Sequence, residues 1–363
     1  MTSSPSTWDA AAFRDRIQAT LDVFLDEQAE RLTPLGPDAA RLLAEARTCV
    51  RGGKRLRAAF CYWGYRSVRP GGQEEPADEE QALLRACSSV ELLHASALVH
   101  DDFMDASDTR RGRPATHRAF AEAHRQEGWP GSAQQYGAAA AILLGDLLLS
   151  WADELLRRCG LPLARVAPAL DVFDLCRSEV ITGQFLDVSA QARGTADVDA
   201  AMTVLRFKSA KYSVERPIHI GAALAGASPR QVDQLAAFGL PLGEAFQLRD
   251  DLLGVFGDPV STGKPAGDDL VEGKRTVLVA LALDAAPPEM AARLDAALGT
   301  PLEPAQVAEL RGIIDRSGAH AQVEQVIDQL SSHALAALDR ADVAAPAKGV
   351  LRDLAAAATH RVG

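Results

Sequence analysis

The sequence predicts an all-helical fold, and three observations predict it. Long segments rich in Ala and Leu repeat their apolar positions at intervals of three and four residues. Alternating β-branched runs are almost absent and aromatic residues make up 5% of the chain, which leaves little from which to build a sheet core. The connections carry Gly, Pro and charged residues and have the lengths found between bundle helices.

The elements follow in chain order. Periodicity predicts helices at 9–31, 81–108, 136–158, 164–189, 198–225, 230–257 and 321–341, with a further helix after Arg57. Breaks fall at Pro70–Glu80, Gly128–Gln134, Gly160–Pro162, Gln191–Ala196, Gly226–Pro229, Asp258–Glu272 and Pro287–Pro304. Residues 1–8 read as a short disordered polar tail. Residues 9–363 read as one helical domain, because no repeat of solenoid period, low-complexity linker or shift of composition interrupts them.

Composition narrows the function classes. The formal charge is −11, which argues against a nucleic-acid binder. The opening MTSSPSTW has no charged-then-apolar signal pattern, and the apolar run Ala138–Leu149 is too short to span a bilayer. Five cysteines with no CxxC pair suggest neither a disulfide framework nor a zinc ribbon. A protein of a reducing compartment, the cytoplasm, with no membrane span is the expectation.

Two acidic motifs close apolar helices. In the first, His100–Asp108 (HDDFMDASD), Asp101, Asp105 and Asp108 fall at i, i+4 and i+7, so three carboxylates share one helical face. A solvated acidic face is one reading. The apolar turn Leu92–Val99 before it favours another, a site for a hard cation such as Mg²⁺ that leaves positions for water and phosphate. The second motif is QLRDDLLG, with Asp250 and Asp251. Basic islands answer the acids. Arg51-Gly52-Gly53-Lys54-Arg55-Leu56-Arg57 brings a glycine pair and charge to a helix N-terminus, where anions bind well. Arg110, Arg111 and Arg113 follow the first acidic motif, and arginine suits phosphate oxygens. The polar stretch Asp258–Thr276 has the character of a lid over phosphates.

With these motifs in place, the chain resembles the trans-isoprenyl diphosphate synthases, the polyprenyl synthetase family. The resemblance runs from about Phe13 to beyond residue 340. It rests on GGKRLR, ELLHASALVHDDFMDASDTRRGRP, GQFLD at 183–187, FKSA at 207–210, and FQLRDDLLGVFGD followed by GK and EGKRT. The family's fold is an isoprenoid-synthase-type helical bundle around a deep central cavity, usually as a homodimer. The resemblance implies that Asp101 and Asp105 ligate two Mg²⁺ ions and Asp250 a third, with Asp102 and Asp251 as supporting metal-site acids and Mn²⁺ as a substitute ion. It implies isopentenyl diphosphate and an allylic diphosphate as substrates. Gly53, Lys54, Arg57, His94 and Arg111 match the isopentenyl diphosphate site, and Arg110, Lys264 and Lys274 match groups that grip the allylic diphosphate. Lys208, Ser209 and Gln247 match positions around the ionising carbon, and Gln184 and Asp187 a GQxxD element near the metals.

Two positions depart from the family pattern. Gly254 stands where the second acidic motif usually has a third Asp, and Ser209 stands where Thr is usual. The resemblance also implies that the residues four, five, eight and nine before Asp101 set product length. These are Ala97, Ser96, Leu93 and Leu92. The first two are small, so the expected product is C20 geranylgeranyl diphosphate, with Leu93 or Phe173 as a floor and C25 or longer products as the alternative. Lys54, Arg57 and Arg111 speak against a class I terpene cyclase, which needs no second-substrate site; an HD-type phosphohydrolase would need further metal-ligand histidines, of which only His94 lies near His100; and a non-catalytic synthase subunit would have lost the acidic motifs that this chain keeps.

Overall fold

The computed structural model describes residues 8–69, 76–194, 196–258 and 267–359. Lys264 therefore lies outside the described residues, as does the expected tail up to Thr7. Trp8 departs from that tail: its indole packs on Phe13 (ring centroids 4.8 Å apart) and on Trp63 (5.3 Å). A large aromatic gains more from this burial than from solvation.

The described elements are α1 (Ala10–Leu32), α2 (Pro37–Cys49), α3 (Leu56–Val68), α4 (Ala77–Met104), a two-stranded antiparallel hairpin of β1 (Thr109–Arg110) and β2 (Arg113–Pro114), α5 (Thr116–Gln126), α6 (Ala133–Arg157), α7 (Leu163–Arg193), α8 (Val198–Val204), a π-helical segment (Leu205–Glu215), α9 (Arg216–Leu224), α10 (Pro229–Phe256), α11 (Asp268–Val271), α12 (Val277–Ala285), α13 (Pro288–Ala297), α14 (Pro304–Ser317), α15 (Ala319–Arg340) and α16 (Ala345–Thr359). The fold is all-α, as the periodicity predicts. The predicted helix at 198–225 is divided by the π segment, and the predicted helix at 81–108 stops at Met104. There Asp105 caps the helix and Ala106 turns into the left-handed region (φ 54°). Asp108 therefore does not share a helical face with Asp101 and Asp105. It is exposed and pairs with Arg118 (2.9 Å).

The chain forms two compact units. One takes in 1–171, 220–227 and 344–350; the other takes in 172–219, 228–343 and 351–363. Three of the boundaries pass through α7, α9 and α16, and the other two fall in the short connections before α10 and before α16.

In the first unit, α4 is the central helix. Its apolar residues Leu83, Val90, Leu92, Leu93 and Val99 are all buried. By length and hydropathy (1.3 over 18 residues) α4 could cross a bilayer, but most of that stretch is covered by protein. It packs closely on α6. Ser96 Oγ donates to the Gly145 carbonyl (2.7 Å), and His100 Nε2 lies 3.2 Å from the Ile142 carbonyl. Gly145 leaves room for the His100 ring, which a Cβ there would displace. At the other end of α4, Glu79 accepts hydrogen bonds from Tyr65 (2.7 Å), Arg69 (2.6 Å) and Arg165 (2.6 Å), which together hold its carboxyl down at about 2. The five cysteines are free thiols.

In the second unit, α10 carries the core. Leu248, Leu252 and Val255 pack with Leu205, Leu270, Leu278, Ile313 and Val323. Its N-terminus is closed by a capping box between Ser228 and Gln231. Near its C-terminal end Arg249 makes a two-pronged bond to Glu324 (2.6 Å each) and donates to the Thr359 carbonyl (3.0 Å).

Two glycines of the first unit give opposite expectations. A Cβ at Gly221 would overlap the Cys61 carbonyl and lie 2.7 Å from the Tyr65 nitrogen, both backbone atoms that cannot swing away. Gly221→Ala should lose about 3 kcal/mol of stability through overpacking. Nothing lies near a Cβ at Gly349 in α16, so Gly349→Ala should gain about 0.5–1 kcal/mol. Chemical denaturation of both variants checks the pair.

Candidate active site

The basic half of the site is built on the loop before α3 and on the hairpin. Gly52 and Gly53 have φ of 72° and 89°, and Arg55 is forced to 54°. Arg55 does not face a ligand, although it lies in the middle of the basic island. It is buried, donates to Glu91 (3.1 Å) and Gln18 (2.6 Å), and thereby fixes the loop. Glu91 also accepts from the Ala58 N–H (3.0 Å), one of the donors that a helix start leaves without an intrahelical partner.

With the loop held this way, Lys54 is exposed and Arg57 stands half-buried on the first turn of α3. Arg111 sits in the hairpin turn at φ 53° and donates to the Arg51 carbonyl (2.6 Å). Its guanidinium lies against Gly53, 3.2 Å from where a Cβ would be.

This geometry concentrates positive charge. Burial pushes the His94 imidazole well below its ordinary range, and Arg57, Arg111, Arg110 and Arg55 push it further down. Arg111 is itself pushed down, by burial and then by Arg55 and Arg110. His94 is therefore neutral at pH 7, amid an arginine charge that an anion would balance. Arg110 and Arg113 are also direct cross-strand partners, a like-charge arrangement that is unfavourable by itself.

The acidic half begins about two helical turns after His94 on α4. Asp101, Asp102 and Asp105 crowd a helix C-terminus, where the helix dipole already disfavours negative charge. Successive helix residues point about 100° apart, and the two neighbouring acids divide accordingly. Asp102 is buried and receives Arg110 Nε on both oxygens (2.8 and 3.1 Å). Asp101 and Asp105 are half-buried. A cavity of about 350 Å³ is lined by Leu98, Val99, Asp102, Arg110, Arg113 and Thr116 among others, with neither Asp101 nor Asp105 in its wall.

The second unit holds the remaining predicted residues. Lys208 and Ser209 lie on the π segment, a helix type whose wider turn is uncommon and often functional. Lys208 Nζ bonds Asp187 (2.5 Å), so two separate sequence motifs meet in one ion pair. Gly183 allows the approach: a Cβ there would lie 2.7 Å from Lys208 Cα. Gln184 Nε2 is buried without a hydrogen-bond partner.

Gln247 Nε2 donates to Asp251 (2.8 Å) on the same helix. Asp251 is buried, and burial first, then Asp269 and Asp250, push its carboxyl up to about 8. Asp250 is half-buried beside it. Lys274 Nζ lies 2.5 Å from Glu272 and 3.4 Å from Asp269. Carboxylate oxygens are the donors that a hard divalent ion takes, although among the described residues no three acids, histidines or cysteines are grouped to hold one by themselves.

Residues 40–315 match the family model for polyprenyl synthetase. The chain belongs to the polyprenyl synthetase family. A geranylfarnesyl diphosphate synthase from Natronomonas pharaonis is 34% identical over 295 residues, 78% of this chain and 79% of its own. A (2E,6E)-farnesyl diphosphate synthase from Mycobacterium bovis is 36% identical over 219 residues, 59% of this chain and 55% of its own. A geranylgeranyl pyrophosphate synthase from Corynebacterium glutamicum, crystallised with isoprenyl diphosphate and magnesium, is 40% identical, with a TM-score of 0.94 over 98% of this chain and 100% of its own. This polyprenyl synthetase is thus a prenyltransferase, a trans-prenyl diphosphate synthase.

The motifs exposed the residues that carry charge toward a ligand but not those that hold them. Arg55, Glu91, Asp269 and Glu272 were not singled out, and neither was the network of Glu179, Lys211 and Arg216. The two acids in GDDLVEGK were the available signal for Asp269. In the network, Arg216 clasps Glu179 on both oxygens (2.7 Å each) and Lys211 bonds the same carboxylate (2.8 Å), fixing the end of the π segment.

His219, buried beside that network, reports on it. Burial, then Arg216 and Lys211, push its imidazole down to about 4. An unfolded histidine takes up its proton near pH ~6.5. Between pH 6.5 and 4 the unfolded chain therefore binds a proton that the folded chain refuses, and stability falls as pH falls. His94 and His117 are shifted the same way and add to the trend. His219→Gln should flatten, without abolishing, the loss of unfolding free energy across this window in denaturation measured at several pH values.

Proposed function

We propose that the protein condenses isopentenyl diphosphate with an allylic diphosphate in a Mg²⁺-dependent head-to-tail transfer, giving geranylgeranyl diphosphate. One observation carries this reading: a neutral His94 set among four arginines, on the same helix as a crowded run of carboxylates. It supports one anion bound directly by cations and a second bound through metal.

Lys54, Arg57, His94 and Arg111 take the diphosphate of isopentenyl diphosphate, with Gly53 allowing the backbone to approach. Arg110, oriented by Asp102, takes the allylic diphosphate, together with Lys274 and Lys264. Asp101, Asp105 and Asp250 hold three divalent ions, with Asp102 and Asp251 in support; Mn²⁺ substitutes for Mg²⁺. When bound, these ions draw charge from the leaving diphosphate. Lys208, kept in place by Asp187, acts with Ser209, Gln247 and Gln184 around the carbon that ionises. The allylic C–O bond breaks, the isopentenyl double bond forms the new C–C bond, and the released diphosphate accepts the proton. Charge met by preorganised cations is the main source of rate.

Chain length is set along α4. Ser96 and Ala97 are small, and one helical turn, ~5.4 Å, corresponds to roughly one isoprene unit. Leu92 and Leu93 are buried and large, and Leu93 is the floor in this reading, with Phe173, also buried, as the alternative. The relatives' names run from farnesyl through geranylgeranyl to geranylfarnesyl, which brackets C20. A homodimer in the cytoplasm completes the proposal. The exposed Ile181 and Phe185, one helical turn apart on α7, support a second copy as their cover.

Mass spectrometry of products from isopentenyl diphosphate and dimethylallyl, geranyl or farnesyl diphosphate tests the reading. A linear C20 diphosphate is expected, abolished by EDTA. Ser96→Phe should shorten it toward C15, and Leu93→Ala should lengthen it. Linear C25 would move the floor, whereas hydrocarbon without chain extension would overturn the transferase reading.

A further inference from the structure

We infer that the cavity framed by α2, α4 and the hairpin is a further anion site, separate from the two substrate sites, which takes a short-chain phosphate monoester and thereby inhibits prenyl transfer. Its inhibitory role rests on the reading above, in which Arg110 and Arg111 grip the substrate diphosphates.

The cavity has a frame of its own. Glu45, Thr48 and Cys49 fall at i, i+3 and i+4 on α2 and line one side of it. Ala95, Leu98, Val99 and Asp102 fall at i, i+3, i+4 and i+7 on α4 and line another. With successive helix residues about 100° apart, this stripe lies about a quarter turn round α4 from the one that carries His94, Asp101 and Asp105. None of those three lines the cavity, and neither Lys54 nor Arg57 does. Of the described groups assigned to the two diphosphates, only Arg110 and Arg111 stand in its wall.

The chemistry of the wall selects the ligand. Four arginines line the cavity (Arg51, Arg110, Arg111 and Arg113), against two carboxyl groups. Asp102 is already engaged by Arg110. Burial pushes the Glu45 carboxyl up, against the hydrogen bond from Thr116 Oγ1 (3.1 Å) and the charge of Arg113. Positive charge is therefore in surplus, and arginine suits phosphate oxygens. Ala95, Leu98, Val99, Pro114 and Ala115 add apolar surface that a bare inorganic anion would leave uncovered. A volume of about 350 Å³ is at the small end of the ~300–1,000 Å³ usual for ligand pockets, and suits one anionic head on a chain of about one isoprene unit.

Arg111 links this cavity to the substrate loop. It donates to the carbonyl of Arg51, another residue of the wall, while its guanidinium lies against Gly53. An anion in the cavity competes for Arg110 and Arg111 with both diphosphates, so occupation slows elongation without blocking the path of the growing chain.

The test uses the full-length protein with isopentenyl monophosphate as the probe. Calorimetry is run in EDTA, so that no ion bridges the probe to the acidic motifs, and should show binding. The same probe should inhibit elongation of farnesyl diphosphate by isopentenyl diphosphate in Mg²⁺. Arg113 is exposed and has no assigned substrate role. Arg113→Gln should weaken probe binding about tenfold, as loss of a charged hydrogen bond does, while turnover without the probe stays that of the parent. Cys49→Phe fills the cavity and should act the same way, with circular dichroism to check its fold. Lys54→Ala should weaken isopentenyl diphosphate and leave the probe unaffected. If Arg113→Gln and a folded Cys49→Phe bind the probe like the parent, or Lys54→Ala abolishes its binding, the probe sits in the substrate site and the inference is overturned, with prenyl transfer untouched. A parent that elongates its primer but binds no probe overturns it equally. A parent that elongates no primer overturns the transferase reading and the inhibitory role, while calorimetry still decides the site.

Discussion

Carboxylates gathered at the ends of apolar helices repel one another, and each unit of this protein answers that repulsion with cations placed by the fold. Asp102 faces Arg110, Asp187 faces Lys208, and Asp269 and Glu272 face Lys274. Breaking a buried pair from one side would leave a stranded charge, commonly a loss of about 3–5 kcal/mol. Asp101 and Asp102 are neighbours in sequence, yet the 100° step of the helix sends one to an arginine and leaves the other on the face it shares with Asp105.

The backbone tolerates strain where this charge is arranged. Arg55, Ala106 and Arg111 adopt left-handed φ values near 54°, unusual for side chains other than glycine. All three lie in loops that present the arginines or end the acidic helix. Strain of this kind persists where surrounding contacts over-determine it. Here the bonds from Arg55 to Glu91 and from Arg111 to the Arg51 carbonyl do so.

The long helices were legible because their apolar residues recur at intervals of three and four, with a wet face opposite in α6. The shorter helices α13 and α14 fell inside or beside stretches that Pro and Gly marked as loops, and proline at a helix start gives the same signal as proline in a turn. The π segment could not be read at all; the glycines that let neighbouring helices approach it, Gly183 and Gly243, are distant in sequence. In the site, the charged residues of the motifs were visible as spacing. Arg55 and Glu91 were not, because a buried ion pair joins positions that sequence leaves 36 residues apart. Asp108 was misplaced for a local reason, the left-handed turn at Ala106.

The central claim is a division of labour: one diphosphate is held by Lys54, Arg57, His94 and Arg111 without metal, and the other needs divalent ions to offset the acids. Calorimetric titration of isopentenyl diphosphate and of a non-ionising allylic thiodiphosphate, each with Mg²⁺ and with EDTA, addresses it directly. The account predicts that EDTA abolishes binding of the allylic analogue and leaves that of isopentenyl diphosphate. Equal dependence of the two ligands on Mg²⁺, or of neither, would contradict it.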